Sequence, residues 1–210
     1  MNPHLPNSWK CLLLAGSLLF FGCSSVRPVV DRTRFYVLTS LPSQPDSITP
    51  AGKSLAIGVG RVEVPDYLLP KQIALRRGNG EIHYSETLQW AERLDKGIQR
   101  VLGANLASLP GSANQVLTTW RRQDVSAEVY VSVQRCETGE GGEVVLETRW
   151  RVASPGAETT WRTGLAQITK KGPALASNPD GAVATLSEAL ADLSRQIAAA
   201  LPIPKTESSR

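Results

Sequence analysis

The feature that most constrains this chain is an apolar run near its start, residues 12–21, which follows a single cation at Lys10. A helix needs about 20 apolar residues to cross a hydrocarbon core of about 30 Å, so a run of this length does not span a membrane. The run has the length of the apolar region of a secretory signal, which is about 7–15 residues. The sequence therefore predicts export, with residues 1–22 as the signal peptide.

The apolar run ends at Gly22 followed by Cys23, and this pair resembles the lipobox of bacterial lipoproteins. In that class the chain is cleaved before the cysteine, whose sulfur and new amine then carry acyl chains such as palmitate. Phe20 stands where the usual box has leucine. The resemblance implies a membrane anchor at Cys23, because two or more acyl chains bind a membrane stably. The alternative is an ordinary secretory signal with an incidental cysteine.

The cysteine count limits how the exported protein can be stabilised. Once residues 1–22 are removed and Cys23 is acylated, Cys136 is the one cysteine left, so no intramolecular disulfide can form. The fold must rest on its apolar core, which a chain of this size can supply. Cys136 as a catalytic thiol is the less favoured alternative, since the neighbouring Glu137 disfavours a thiolate.

The charge pattern says little about partners. The sequence has 23 Lys and Arg against 19 Asp and Glu, a formal net charge of +4. The basic residues occur singly or in pairs such as Arg76-Arg77, without a stripe of cations interleaved with aromatic residues. Nucleic acid is therefore not an expected partner. Such pairs are typical of solvated faces, and weak attraction to anionic lipid headgroups or to an acidic partner is the alternative.

Hydrophobic periodicity predicts strands at residues 35–39 and 55–60, then a hairpin of 72–77 and 81–84 joined by Gly78-Asn79-Gly80. Alternating residues predict a weaker strand at 114–120. They also predict an antiparallel meander that includes residues 127–134, 144–152 and 161–165. The polar face of the meander carries Glu147, Arg149 and Arg151, for which we expect cross-strand ion pairs.

Two helices are predicted to pack on this sheet. The first begins at Ser85, which can cap it, and its apolar stripe runs from Leu94 to Leu109 with Trp90 on the same side. The second covers residues 179–201 and ends at Pro202. A Gly-Lys-Ser sequence at residues 52–54 precedes a predicted strand instead of following one, so we interpret it as chance and not as a phosphate-binding loop.

These elements define the expected organisation. The fold class is α/β (α+β), a single domain with a largely antiparallel mixed sheet and two main helices packed on it. The domain covers residues 35–202, after a tether at residues 23–34 and before a disordered tail at residues 203–210.

The most distinctive internal segment is a turn bounded by Pro65 and Pro70, which carries Tyr67, Leu68 and Leu69. Apolar side chains on a stiff turn can close the end of a core, and they can also be offered to a partner. We hypothesise an interface that is formed by Pro65, Tyr67, Leu68, Leu69 and Trp90, with packing as the alternative.

Taken in order, the segments resemble the PqiC-like auxiliary lipoproteins of ABC-type transport systems over nearly all of the chain after the signal. The resemblance rests on residues 35–38, on residues 59–64 leading into Pro65-Asp66-Tyr67-Leu68, and on Trp90-Ala91-Glu92 before the leucine-rich helix. It continues through the hairpin, the strand pair around residues 146–150 and the C-terminal helix. None of these segments is a catalytic motif, and their order carries the likeness.

The resemblance implies a lipoprotein that is held by Cys23 and works beside an inner-membrane ABC permease, an ATPase and an MCE-domain protein that carries lipid between membranes. Ser24 resembles the sorting signal for the outer membrane, so we expect the protein there, facing the periplasm. Such a subunit needs no cofactor or metal and acts by binding and assembly, and a homo-oligomer is compatible with this role.

Two alternative functions stay open. One is a periplasmic cell-envelope hydrolase, which is disfavoured because His83 is the one histidine after the signal and no Gly-x-Ser-x-Gly elbow is present. The other is a purely structural envelope lipoprotein that tethers a complex without touching lipid. The sequence does not separate this role from a subunit of a transport system.

Overall fold

The computed structural model describes residues 30–42, 55–109 and 115–202. The described residues form eight strands, two α-helices and three short 3₁₀-helices. The strands are β1 (Arg34–Tyr36), β2 (Ala56–Val59), β3 (Gln72–Arg77), β4 (Glu81–Trp90), β5 (Gln115–Leu117), β6 (Ala127–Gly139), β7 (Glu143–Ala153) and β8 (Thr160–Lys171). The helices are α1 (Leu94–Ser108), α2 (Pro179–Ala199) and the 3₁₀-helices Asp66–Leu68, Arg122–Asp124 and Pro155–Ala157.

The sheet is organised around β6. Strand β7 pairs antiparallel along one side of β6, and β8 pairs antiparallel with β7. On the other side of β6, β2 pairs in parallel with its beginning and β3 in parallel with its end. Beyond them, β5 is parallel to β2, β4 is antiparallel to β3 and β1 is parallel to β4. The mixed sheet with two helices confirms the predicted α+β class.

The core lies between the helices and one face of the sheet. Alternate residues of the long strands and the apolar stripes of both helices meet there, and each fully buried leucine or isoleucine stabilises the fold by about 1.5–3 kcal/mol. The largest of these buried side chains include Ile57, Ile98, Leu102, Leu106, Leu146, Leu186, Leu190, Leu193 and Ile197. We call the opposite face of β6, β7 and β8 the open face.

Buried polar side chains fix the helices in place. Asn105 on α1 is fully buried, and its Nδ2 donates to Ser194 Oγ on α2 at 3.1 Å while its Oδ1 accepts from Leu41 N at 2.7 Å. Gln99 Nε2, also on α1, donates to the backbone oxygens of Val59 and Gly60 at the end of β2. Because buried polar groups are costly when unpaired, these bonds specify one orientation of the helices.

A bulge in β6 determines which side chains face outward. Val129, Val131 and Val133 are buried on the helix side, and Tyr130 and Ser132 lie on the open face. The register shifts between Val133 and Arg135, so that Arg135 pairs with Glu147. The extra residue moves the charged side chains at positions 135 and 137 to the open face, where a regular strand would have placed them in the core.

The prediction that the first helix begins at Ser85 is wrong. Residues 85–90 continue β4, because Leu88 and Trp90 pair with β1 and Gln89 pairs with Gln72 of β3. Ser85 Oγ accepts from Leu88 N at 3.1 Å inside this irregular part of the strand. The helix begins at Leu94 instead. Tertiary pairing has overridden a plausible local cap.

The remaining elements follow the predictions closely. The hairpin turns at Gly78, whose φ of +52° suits glycine, and the three meander strands and the C-terminal helix are present. The strand expected at residues 114–120 is confined to Gln115–Leu117. Across the described ranges, no helix has both the length and the hydropathy needed for a membrane span.

All the strands and helices named above belong to one compact unit, Thr33–Arg210. Residues 30–32 are described but precede this unit. The predicted signal peptide, Cys23, the Gly-Lys-Ser segment and the tail at residues 203–210 lie outside the described residues. The predicted domain boundaries therefore stay predictions.

Candidate functional site

The turn singled out in the sequence is fastened to the sheet. Tyr84 Oη donates to the backbone oxygen of Tyr67 at 2.8 Å. Burial, and next the negative charge of Glu137, raises the pKa of Tyr67 to about 12. Leu68 is only 3% exposed, Pro65 and Tyr67 are half-buried, and Leu69 is 43% exposed.

The five residues of the hypothesised interface therefore fall into two groups. Leu68 and Trp90 belong to the core cluster and stabilise the domain itself. Pro65 and Tyr67 present part of their surface, and Leu69 presents an exposed apolar side chain on the rigid turn. The interface stays a prediction, and in the folded domain it depends on Leu69 with the exposed parts of Pro65 and Tyr67.

The other reactive side chains from the sequence lie apart. Cys136 is buried, and this burial, with the charge of Glu137, raises the pKa of its thiol to about 12, so the thiol stays protonated. His83 lies on β4 opposite Leu75. Among the residues described, no three His, Cys, Asp or Glu side chains are grouped so that they could hold a metal ion.

A groove of about 650 Å³ lies on the open face, a volume within the range of small-molecule sites, about 300–1,000 Å³. Its side chains come from four neighbouring stretches of backbone: the segment after β2, and strands β6, β7 and β8. In that order they are Arg61 and Glu63, Tyr130 and Ser132, Arg149 and Arg151, and Thr163 and Leu165. We call this the arginine groove.

A buried carboxylate supports the floor of the arginine groove. Glu128 is 3% exposed and accepts hydrogen bonds from Tyr130 Oη at 2.8 Å, Trp120 Nε1 at 2.9 Å and Gly156 N at 3.0 Å. Burial by itself would raise the pKa of Glu128, but the hydrogen bonds from Gly156, Trp120 and Tyr130 outweigh it and the pKa is lowered. The carboxylate is therefore ionised at neutral pH and holds Tyr130 in one orientation.

Tyr130 in turn orients an arginine. The guanidinium carbon of Arg151 lies 4.0 Å from the centroid of the Tyr130 ring, within the range of a cation–π contact. The ring lies so close to Gly60 that a Cβ there would be 2.8 Å from Tyr130 Cδ1, so glycine is required for this packing. Glu128, Tyr130 and Arg151 thus form a rigid chain from the core to the groove.

The arginines of the groove are not neutralised. Elsewhere in the described ranges eight arginines form salt bridges with carboxylates. They are Arg34, Arg76, Arg77, Arg93, Arg100, Arg122, Arg135 and Arg195. No described carboxylate forms a salt bridge with Arg61, Arg149 or Arg151. Three arginines and one glutamate, Glu63, give the lining a net charge of +2.

The expected ion pairs of Arg149 and Arg151 are therefore wrong. The expected cross-strand ion pair of Glu147 is confirmed, with Arg135 of β6 at 3.0 Å, but the residues of β6 opposite Arg149 and Arg151 are Ser132 and Tyr130. The alternating pattern predicted correctly which side chains of β7 share one face of the sheet. It did not predict which residues of β6 lie opposite them. Planar guanidiniums without a partner bind carboxylates or phosphates through paired hydrogen bonds, so the groove is suited to an anion.

Comparison with solved structures shows the same fold elsewhere. The crystal structure of an uncharacterized protein has a TM-score of 0.63 and 23% identity, covering 80% of this chain and 97% of the other. A protein from Xanthomonas campestris has a TM-score of 0.61 and 14% identity, covering 78% and 92%. None of the curated proteins that were compared has significant similarity to the chain.

The sequence profile of one family extends over nearly the whole described fold. The profile, which is for an ABC-type transport auxiliary lipoprotein component, matches residues 36–198. This span begins within β1, ends within α2 and contains every lining residue of the arginine groove. Because the match covers well over half of the sequence, the chain belongs to the family of ABC-type transport auxiliary lipoprotein components.

Proposed function

We propose that this protein is a non-catalytic subunit of an ABC-type system that moves lipid between membranes. It is anchored through acylated Cys23 in the outer membrane, faces the periplasm, and acts by binding and assembly. Its family supports the general role, an auxiliary lipoprotein of ABC-type transport. One observation carries the binding role: the helices occupy a single face of the sheet, and the open face presents a rigid, positively charged groove.

The proposed partners are an MCE-domain protein, an inner-membrane permease and its ATPase. The resemblance of residues 35–38, 59–68 and 90–92 to PqiC-like lipoproteins supports these partners. We place the contact with the MCE-domain protein, or with a neighbouring copy in a homo-oligomer, at the turn that carries Leu69. Exposed apolar groups on a rigid base lose little conformational entropy when they bind. The half-exposed Tyr67 on the same turn is of the aromatic type that dominates interface energies.

The anchor is tested on the N-terminal peptide of the mature protein. We expect mass spectrometry to find Cys23 at the new N-terminus with acyl chains on its sulfur and amine. Substitution Cys23→Ser removes the acceptor sulfur, so the variant is expected to stay unacylated and uncleaved. A free amine at any other cleaved residue would exclude the lipid anchor.

The proposed partner contact at the turn is tested by co-purification with the MCE-domain protein. Leu69→Ser removes an exposed side chain, so we expect the melting temperature to stay the same while the partner is lost. Leu68→Ala is the matched core variant one residue away, and it is expected to lower the stability by about 2–5 kcal/mol. Co-purification that is unchanged in the folded Leu69→Ser variant would exclude this turn as the contact.

A further inference from the structure

We propose that the arginine groove binds the phosphate-bearing headgroup of an anionic phospholipid. The proposal deepens the proposed function and rests on it in one respect, because the anchor at Cys23 is what keeps the domain at a membrane. The chain from Cys23 to Thr33 spans at most about 35 Å when it is fully extended. Lipid headgroups are therefore within reach of the domain.

The charge of the groove favours an anion. The side chain of Arg149 is exposed and forms no hydrogen bond or salt bridge with any described residue, while most of the other described arginines have a carboxylate partner. Arg61 approaches from the segment that follows β2, on the opposite side of β6. A ligand that lies across β6 would be contacted by guanidiniums from both sides, and Glu63 removes only part of this charge.

The geometry favours a phosphate group. Arg149 and Arg151 are two residues apart on one face of β7, a separation of about 7 Å along the strand. Ser132 on β6 lies directly opposite Arg149, and Thr163 on β8 lies opposite Arg151. The two guanidiniums, with the hydroxyl groups of Ser132 and Thr163 beside them, can donate hydrogen bonds to several oxygens of one phosphodiester. Arg151 is already oriented by Tyr130, so the groove is partly preorganised.

An apolar rim favours a lipid over a free anion. Leu165 is 71% exposed and lies opposite Arg149 at the edge of the groove. Trp161, near the beginning of β8, is 36% exposed. A free phosphate would leave Leu165 in water. A phospholipid can place its phosphate between the arginines and the beginning of its acyl chains against Leu165. In this arrangement the apolar surface of Leu165 is buried, and the arginines at the same time gain a negatively charged partner.

The test uses the mature acylated protein in a non-ionic detergent, with lipid binding measured by native mass spectrometry. Phosphatidylglycerol and phosphatidylcholine with identical acyl chains are the probes. We expect phosphatidylglycerol to bind at least about tenfold more tightly, a ratio typical of charge-assisted contacts. Arg149→Gln combined with Arg151→Gln is expected to abolish this preference. Raising the salt concentration is expected to weaken it.

Two variants control for charge and for folding. Arg34→Gln combined with Arg195→Gln removes the same number of charges outside the groove, and it is expected to keep the preference. Arg149→Gln alone breaks no hydrogen bond or salt bridge within the described ranges, so it is expected to stay folded and to lose part of the preference. Circular dichroism melting curves confirm that each variant is folded before its binding is compared.

Several outcomes would overturn the proposal. Equal binding of the two lipids, or equal loss in the groove and control variants, would exclude a site for an anionic headgroup. Inorganic phosphate that competes as well as phosphatidylglycerol would identify a free-phosphate site. Binding of polyglutamate without binding of phosphatidylglycerol would identify a docking site for an acidic protein segment. The assay contains no transport partner, so a failure here is distinct from a failure of the co-purification test.

Discussion

The charged side chains at the two ends of the open face differ in whether they form salt bridges. At one end, Arg76, Arg135, Glu137 and Glu147 form a connected set of salt bridges, which we call the paired end. At the other end lies the arginine groove, whose lining has three arginines and one glutamate with no salt bridge between them. Both ends use residues from β6 and β7, and the β6 bulge at residues 133–135 lies between them.

The difference follows from burial. The side chain of Glu137 is 1% exposed, and an isolated buried carboxylate is too costly to keep, so Arg76 and Arg135 both donate to its Oε1 atom. Arg149 is exposed and stays hydrated without a partner. The comparison suggests that the paired end stabilises the fold, whereas the arginine groove is free to bind.

The strongest way to break the paired end is Glu137→Gln. The substitution leaves Arg76 and Arg135 without their shared carboxylate at a site where their side chains are only 21% and 33% exposed. We expect the free energy of unfolding to fall by about 3 kcal/mol, the lower part of the range for breaking buried pairs. Urea denaturation measures the change.

Glu147→Gln is the matched control at the same end. Glu147 is 31% exposed and has one partner, Arg135, so we expect a loss of no more than about 1 kcal/mol. If the two substitutions destabilise the protein equally, the buried carboxylate is not the centre of this network.

The pH dependence of stability tests the support beneath the groove. The pKa of Glu128 is lowered in the folded protein, so its stabilising contribution is complete above the unfolded pKa, about 4.3, and is lost as the pH falls through the folded pKa. We expect Glu128→Gln to cost about 1–2 kcal/mol at pH 7, since three donors lose an ionised acceptor. Its urea midpoint should also fall less steeply than that of the wild type below about pH 4.3.

Asp95 contributes to the acid sensitivity that remains in this variant. Burial alone would raise the pKa of Asp95, but the hydrogen bonds and charge of Arg93 lower it. Glu86→Gln, at an exposed position on β4, is the control for the loss of one carboxylate. If the stability of Glu128→Gln falls with decreasing pH in the same way as that of the wild type, then Glu128 is not an ionised hydrogen-bond acceptor in the folded state.

The sequence was sufficient for the elements with a strong local signal. The Gly78-Asn79-Gly80 turn, the alternating meander strands and the stripe of α2 each specify their structure over a short window, and each was predicted. The strand at residues 85–90 was missed because it is held by distant pairing with β1 and β3 and not by its own pattern. Trp90 therefore lies in the core as a strand residue, whereas the pattern predicted that it lies on the apolar face of a helix.

The two ends of the open face could not be predicted for a related reason. The alternation beyond Val133 suggests that Arg135 and Glu137 face the core. Only the bulge, which depends on register with β7, turns them to the open face of the sheet. The same register places Glu147 opposite Arg135 and Arg149 opposite Ser132. A sequence can show that charges share a face, but which charges become partners depends on alignment between strands.

The smallest expected effect compares one arginine from each end. Arg149→Gln replaces an exposed side chain that has no hydrogen bond or salt bridge with described residues, so we expect a change in unfolding free energy within about 0.5 kcal/mol. Arg135→Gln removes the cation that bridges Glu137 and Glu147, and it is expected to cost about 1–2 kcal/mol. Urea unfolding at low and high salt gives both values. Raising the salt should reduce the cost of Arg135→Gln and leave Arg149→Gln unchanged, because only the former breaks ion pairs. A clear destabilisation by Arg149→Gln would mean that the arginine groove serves the fold, and the distinction between the two ends would be lost.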